Sequence, residues 1–295
     1  ARTDRYGTTK LVGSANEILL YALKRSTENP EILPDRIYDE YISTRYGKKA
    51  LEPVKNAFKK AYDIVLSSMY ILGTNAAKHS SMDYDPYSSS YDRHVSGRWL
   101  EPPVVFVEHG INKEFHYWKD IINHIAPARF KTKDSRLGLE ARYVIEQNWV
   151  TPVELMDSLY LSYIITEKRY GVSLANEALA DIERAKDLLT PSDYDDLYRL
   201  FKRTALTAQL YEAVSTAYFG FRIYAKGKSY RYENLEEQIR SALNRIDLVT
   251  DEMKGMQGEY PLGQWDWLKD AETALSYKNK ILTGWKEYNN VKFTQ

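Results

Sequence analysis

Residues 190–224 read TPSDYDDLYRLFKRTALTAQLYEAVSTAYFGFRIY, and this run decides the fold class. Thr190 followed by Pro191 is a helix-opening pair, a capping side chain ahead of a residue whose missing N–H costs nothing at the first helical position. Tyr194, Leu197, Leu200, Phe201, Ala205, Leu206, Leu210, Ala213, Val214, Ala217 and Phe221 then recur at spacings of three and four, the period of one helix face. Unbroken, the run would extend about 50 Å at 1.5 Å per residue; Thr204 is where it could break.

The same pattern continues on both sides. Toward the C-terminus, Glu233 to Lys254 repeats it with Leu235, Ile239, Leu243, Ile246 and Val249. Gly255 to Asp266 reads as a loop with Trp265 and Trp267 at its tip, and Leu268 to Leu282 as a last helix. Toward the N-terminus, Leu174 to Leu189 is a helix. Thr151-Pro152 opens another that Gly171 is expected to end, and shorter ones cover 139–148 and 113–125. At the start of the chain, Ser14-Ala-Asn-Glu17 forms a capping box ahead of Ile18, Leu19, Ala22 and Leu23. A second helix begins at Pro34 or Asp35 and aligns Ile37, Tyr38, Tyr41 and Ile42, with Gly47 placed as a C-cap. The third runs from about Lys49 to Leu72 on a stripe of Leu51, Val54, Phe58, Ala61, Tyr62, Val65 and Met69.

With no repeat of fixed length, the expected fold is all-α: about ten helices in antiparallel pairs and one long functional loop, about 74–112. Residues 1–13 read as a connection from an upstream domain. Residues 14–295 read as the helical domain, with a soft boundary near 126–137.

Composition narrows the function classes. The 295 residues carry 41 Lys and Arg against 41 Asp and Glu, so no basic footprint for nucleic acid exists. There is no cysteine, which removes disulfides, thiol catalysis and cysteine zinc sites. No apolar run approaches the roughly 20 residues of a membrane span. Tyrosine is abundant, 25 beside 8 Phe and 6 Trp, and suits half-buried faces and wet binding surfaces alike.

Chemistry concentrates in one place, because all five histidines fall between positions 79 and 124. The stretch from Lys78 to Trp99, KHSSMDYDPYSSSYDRHVSGRW, has neither helical nor strand period. Arg93 and Arg98 offer forks for carboxylates, and His79 and His94 offer donors or acid–base groups. Tyr84, Tyr91 and Trp99 offer flat apolar faces. A sugar needs that mixture, a ring face for its C–H side and bidentate partners for its hydroxyls or acids. The competing reading is a loop that covers a helix end and satisfies its own polar groups. Trp265 and Trp267, in Gly-Gln-Trp-Asp-Trp, fit a sugar platform or a packing plug equally well.

His116, Asp120 and His124 follow one helical stripe but match no zinc spacing, so neither a metal nor a cofactor is expected. Asp83/Asp85 and Glu101/Glu108 supply carboxylates without the measured separation that glycoside hydrolysis demands. No phosphate-binding Gly loop, G-x-S-x-G or H-E-x-x-H occurs.

Ala15-Asn-Glu-Ile-Leu-Leu-Tyr-Ala-Leu-Lys24 is followed by Pro34-Asp-Arg-Ile-Tyr-Asp-Glu-Tyr-Ile-Ser-Thr-Arg-Tyr-Gly47, a long helix and the His/Tyr/Arg/Trp-rich loop. Phe201-Lys-Arg-Thr204 then leads into Ala217-Tyr-Phe-Gly-Phe-Arg-Ile-Tyr224. By this order of parts the chain resembles the helical C-terminal region that follows the (β/α)8 barrel in α-glucuronidases of glycoside hydrolase family 67 and related polysaccharide-degrading enzymes. The resemblance implies an extracellular or periplasmic setting, an oligosaccharide or polysaccharide ligand of acidic type, an upstream catalytic domain and a homodimer as one assembly. It also implies that the catalytic carboxylates lie on a barrel outside this chain, since no strand–helix alternation occurs here. The alternative class is a helical interaction or assembly module with no small-molecule site.

Overall fold

A computed structural model describes residues 15–71, 74–75, 77–78, 81–82, 158–225, 234–259 and 267–292. They form seven α-helices: α1 (Glu17–Glu28), α2 (Pro34–Arg45), α3 (Leu51–Met69), α4 (Ser158–Arg184), α5 (Pro191–Ala225), α6 (Leu235–Glu259) and α7 (Trp267–Lys292). Two 3-10 turns, Lys48–Ala50 and Lys186–Leu188, precede α3 and α5. The only extended backbone among the described residues is two antiparallel pairs of two residues each, Tyr70–Ile71 with Thr74–Asn75 and Ala77–Lys78 with Ser81–Met82. The described residues are therefore all-helical in character apart from these two short pairs.

α5 is unbroken for 35 residues, and Thr204 bends nothing out of it. Its opening is the expected cap: Thr190 Oγ1 accepts from the Asp193 N–H at 3.2 Å and donates to the Asp193 carboxylate at 2.8 Å. Pro34 starts α2 as predicted, and Ile37, Tyr41 and Ile42 are buried. Leu235, Ile239, Leu243, Ile246 and Val249 of α6 are all buried too.

Other boundaries moved. Asn16, not Ser14, occupies the N-cap of α1, and it makes no side-chain capping bond. Gly47 does have positive φ (89°), but at ψ 154° it opens the 3-10 turn and is not an αL cap. Gly171 does not end a helix: α4 runs straight through it to Arg184. Gly255 likewise lies inside α6. The stripe expected on α3 holds at Val54 and Phe58, whereas Tyr62 and Val65 are exposed and Ile64, Leu66, Ser67 and Ser68 are buried instead.

Packing divides the chain into two units. In the first, the described residues come from α1, α2, α3 as far as Tyr62, α4 from Ser173, α5 as far as Leu206 and α6 from Glu252. A series of rings runs through it: Tyr21 on Tyr41 (5.5 Å), Tyr41 on Tyr46 (6.2 Å), Tyr46 on Phe58 (6.3 Å) and Phe58 stacked on Phe201 (5.9 Å). Such pairs add about 0.5–1.5 kcal/mol each beyond their buried area, and here they link α1, α2, α3 and α5. Burial pushes the Tyr41 hydroxyl up to about 12 and raises that of Tyr46 further. Asp181, almost wholly buried, is held by Lys60 at 2.7 Å and by Arg184, while Arg45 meets Asp193 at 2.7 Å.

The second unit takes the rest of α3, the N-terminal part of α4, α5 from Thr207, α6 as far as Asp251 and α7 from Lys269. Contacts between α5 and α6 pair Glu212 with Arg245, Gly220 with Ile239 and Tyr224 with Glu236. One number falls as the other rises, so these two helices run in opposite directions. Asp247 with Lys278 and Arg240 over Trp285 give the same relation between α6 and α7. At one end Trp285 stacks against Phe221 and Tyr224, at 5.5 and 5.2 Å between centroids.

Candidate functional site

The core of the second unit contains a polar seam where α3 meets α4. Glu167 and Lys168 are both 0% exposed and lie 3.1 Å apart, Lys168 Nζ to Glu167 Oε2. The same ammonium donates to the Ser67 carbonyl at 2.7 Å. Ser67 stands in the last turn of α3, which ends at Met69. Its carbonyl is thus one of the four that a helix leaves without an intrahelical donor. Lys168 supplies that donor from the neighbouring helix and places a cation at the negative end of the α3 dipole. Burial pulls the Lys168 ammonium below the usual lysine range, and the Glu167 carboxylate opposes that fall.

Gly171, one turn further along α4, allows this approach. A Cβ there would lie 2.9 Å from Ser68 Oγ, 3.1 Å from Ser67 Cβ and 3.2 Å from the Ser67 carbonyl carbon. The hydroxyls of Ser67 and Ser68 are buried without hydrogen-bond partners. A further tie lies on α5: Glu212, its side chain 5% exposed, meets Arg245 of α6 at 2.7 Å and Arg169 of α4 at 3.7 Å.

The position of the seam along the chain matters more than any reaction it could support. Directly after α3 come the two short strand pairs, and then residue 83. The chain re-enters the described structure at Ser158, ten residues before Lys168, which is about 15 Å of helix. The His-, Arg- and Tyr-rich part of the sequence therefore falls, in chain order, between two helices that the Lys168–Ser67 bond ties together.

His79, Tyr84, Tyr91, Arg93, His94, Arg98, Trp99 and Trp265 lie outside the described residues, as do His116, Asp120 and His124. Trp267 is the first residue of α7, and its side chain falls outside the description. Among the described residues no group of three or more His, Cys, Asp or Glu side chains is placed to hold a metal, and no helix is long and apolar enough to cross a membrane. Sequence reasoning missed Glu167 and Lys168. Adjacent opposite charges inside the apolar run Leu-Ser-Tyr-Ile-Ile-Thr-Glu-Lys-Arg-Tyr170 are the one signal that marks them, and periodicity assigns such residues to a solvated face. No protein-family model, curated protein or solved structure matches this chain.

Proposed function

We propose that the chain is the helical accessory region of a carbohydrate-active enzyme, a scaffold that presents its His/Arg/aromatic insertion to an acidic oligosaccharide or polysaccharide. In this reading the full scaffold is an array of about ten helices in antiparallel pairs, and the protein acts outside the cytoplasm or in the periplasm. His79, Tyr84, Tyr91, Arg93, His94, Arg98 and Trp99 contact the sugar, with Trp265 and Trp267 as a second aromatic platform. The bond-breaking carboxylates belong to an upstream glycoside hydrolase domain.

The observation that supports this reading is the Lys168–Ser67 tie at the root of the insertion. Binding loops work when a rigid frame positions them, and a buried charge-assisted bond at a helix end makes such a frame. The test is titration with neutral and uronic-acid-bearing oligosaccharides, followed by tryptophan fluorescence and calorimetry. Acidic sugars are expected to bind, and Arg93→Ala or Trp99→Ala to weaken binding by about tenfold or more. Absence of binding, both by the chain alone and by the chain joined to a barrel domain, would refute the proposal. A helical assembly module is the second reading. It is favoured by the outward leucines of α1, Leu19 and Leu23 at 59% and 64% exposure, and expects association that depends on protein concentration.

A further inference from the structure

In the second unit two arginines share one buried carboxylate. Glu212 of α5 accepts a hydrogen bond at Oε2 from Arg245 Nη1 of α6 at 2.7 Å. Arg169 of α4 brings its Nε to the other oxygen, Oε1, at 3.7 Å, an ion pair too long for a hydrogen bond. The two side chains are 67% (Arg169) and 50% (Arg245) exposed, and neither guanidinium has a further partner among the described residues. A guanidinium carries five N–H donors. Arg245 uses one of them on Glu212 and Arg169 uses none, so both keep donors in water. Other exposed arginines are neutralised along their own helix, Arg36 by Glu40, Arg184 by Asp181 and Arg240 by Glu236. Arg169 and Arg245 have no acid three or four positions away on either side, where such a partner would stand. One carboxylate balances one of the two charges, and one positive charge is left over at the surface.

We propose that Arg169 and Arg245 form an anion subsite for a carboxylate-bearing ligand, with Glu212 as the residue that positions them both. The planar guanidinium fork matches a carboxylate bidentately. The excess is a single charge, which a monovalent carboxylate cancels and a phosphate near two negative charges would overshoot. The carboxylate belongs either to a uronic-acid unit of a saccharide or to a free small organic acid. The first source rests on the carbohydrate reading above and extends it to α4 and α6, while the second is independent of it. Both guanidiniums stand in water, where ion pairs are weak, so the affinity is about millimolar.

Labelling of the full chain with phenylglyoxal, an arginine-specific reagent, read residue by residue in peptide mass spectra, tests the subsite. The added ligands are a uronic-acid oligosaccharide, its neutral methyl ester and lactate. At saturation an acid is expected to slow labelling of Arg169 and Arg245 by about tenfold, while Arg36 and Arg240 label as before and the ester protects nothing. Arg169→Gln leaves the Arg245–Glu212 bond in place and weakens protection of Arg245 by about tenfold; Arg169→Lys, which keeps the charge without the fork, falls between. Labelling of Arg169 and Arg245 that no acid slows, equal protection of Arg36 and Arg240, protection by the ester, or an Arg169→Gln chain that protects Arg245 as before would each overturn the proposal. Protection by lactate without the saccharide keeps the subsite and assigns it to a free acid. Tryptophan fluorescence of the same samples separates this subsite from the insertion. A saccharide that perturbs tryptophan, and does so less in Arg93→Ala, yet leaves Arg169 and Arg245 open to the reagent removes the subsite and keeps the carbohydrate reading. Protection that persists in Arg93→Ala without a tryptophan response keeps the subsite and counts against the insertion.

Discussion

Lys168→Met removes one ammonium group and nearly nothing else, because methionine keeps most of the methylene stem. The Ser67 carbonyl and the Glu167 carboxylate both lose this ammonium. The Ser67 carbonyl, 2.7 Å from Nζ, becomes an unsatisfied acceptor at about 1–3 kcal/mol. Glu167, whose side chain is 0% exposed, keeps a carboxylate in the core without its cation, and breaking a buried pair on one side costs about 3–5 kcal/mol. The second figure contains part of the first, so the expected loss is about 3–5 kcal/mol in all. Replacing both charges is a different matter. Lys168→Met with Glu167→Met leaves no uncompensated charge in the core, and the Ser67 carbonyl loses its donor at about 1–3 kcal/mol, so the double variant is more stable than Lys168→Met alone.

The assay is urea unfolding followed by far-ultraviolet circular dichroism, run as a double-mutant cycle. Its pH dependence adds a second check. Burial lowers the folded-state pKa of Lys168 beneath the ordinary 10.5. Between those two values the unfolded chain holds the proton that the folded chain has released, so stability rises with pH through that window. This contribution is complete above the unfolded value and is lost as pH falls through the folded one. Lys168→Met abolishes that alkaline rise while leaving the titration of the tyrosines in place. Losses that simply add across the cycle, or a Lys168→Met cost below about 1 kcal/mol, would refute the account of Lys168 as a cap for α3.

Gly171→Ala is expected to destabilise by about 1–3 kcal/mol through overpacking, since its Cβ would lie 2.9 Å from Ser68 Oγ. Ser68→Ala should recover part of the loss in a thermal melt. If nothing crowded Gly171, the same change inside a helix would stabilise by about 0.5–1 kcal/mol, so the sign alone decides. Glu40 receives hydrogen bonds from Arg25, Arg36 and Tyr21, and these, Arg25 foremost, hold its carboxyl down at about 2 against the ordinary 4.5. Its stabilising effect is therefore present above about pH 4.5 and lost as pH falls toward 2. Glu40→Gln should flatten that acid limb, read as hydrogen-exchange protection of α1; an unchanged limb would count against the Glu40 network. Thr190→Ala removes the α5 cap and should cost about 1 kcal/mol, measured by the unfolding midpoint.

The parts of the fold legible in the sequence are those set by short-range chemistry. Thr190-Pro191 and Pro34 mark helix starts because capping and a fixed φ act within one turn. The α6 stripe is legible because five apolar residues at helical spacing have one face to share. What escaped depends on which neighbour each residue meets. Gly171 is written identically whether it stops a helix or admits a second one closely, and only the Ser67 and Ser68 atoms 2.9–3.2 Å away distinguish these roles. Leu19 and Leu23 match a buried stripe, yet the ring contact of Tyr21 with Tyr41 and the ion pair of Arg25 with Glu40 turn them outward. Glu167 and Lys168 read as solvated charges because no periodic rule anticipates the orphan carbonyl of another helix. The residues proposed to contact a sugar differ in kind. Their chemistry is plain in the sequence, while their mutual geometry, which decides between a cleft and a self-satisfied loop, lies outside the description. An ammonium that caps α3 and a glycine that admits α4 fix the frame, and on the carbohydrate reading proposed above a fixed frame is what lets arginines and aromatic rings arrive at a ligand already aligned.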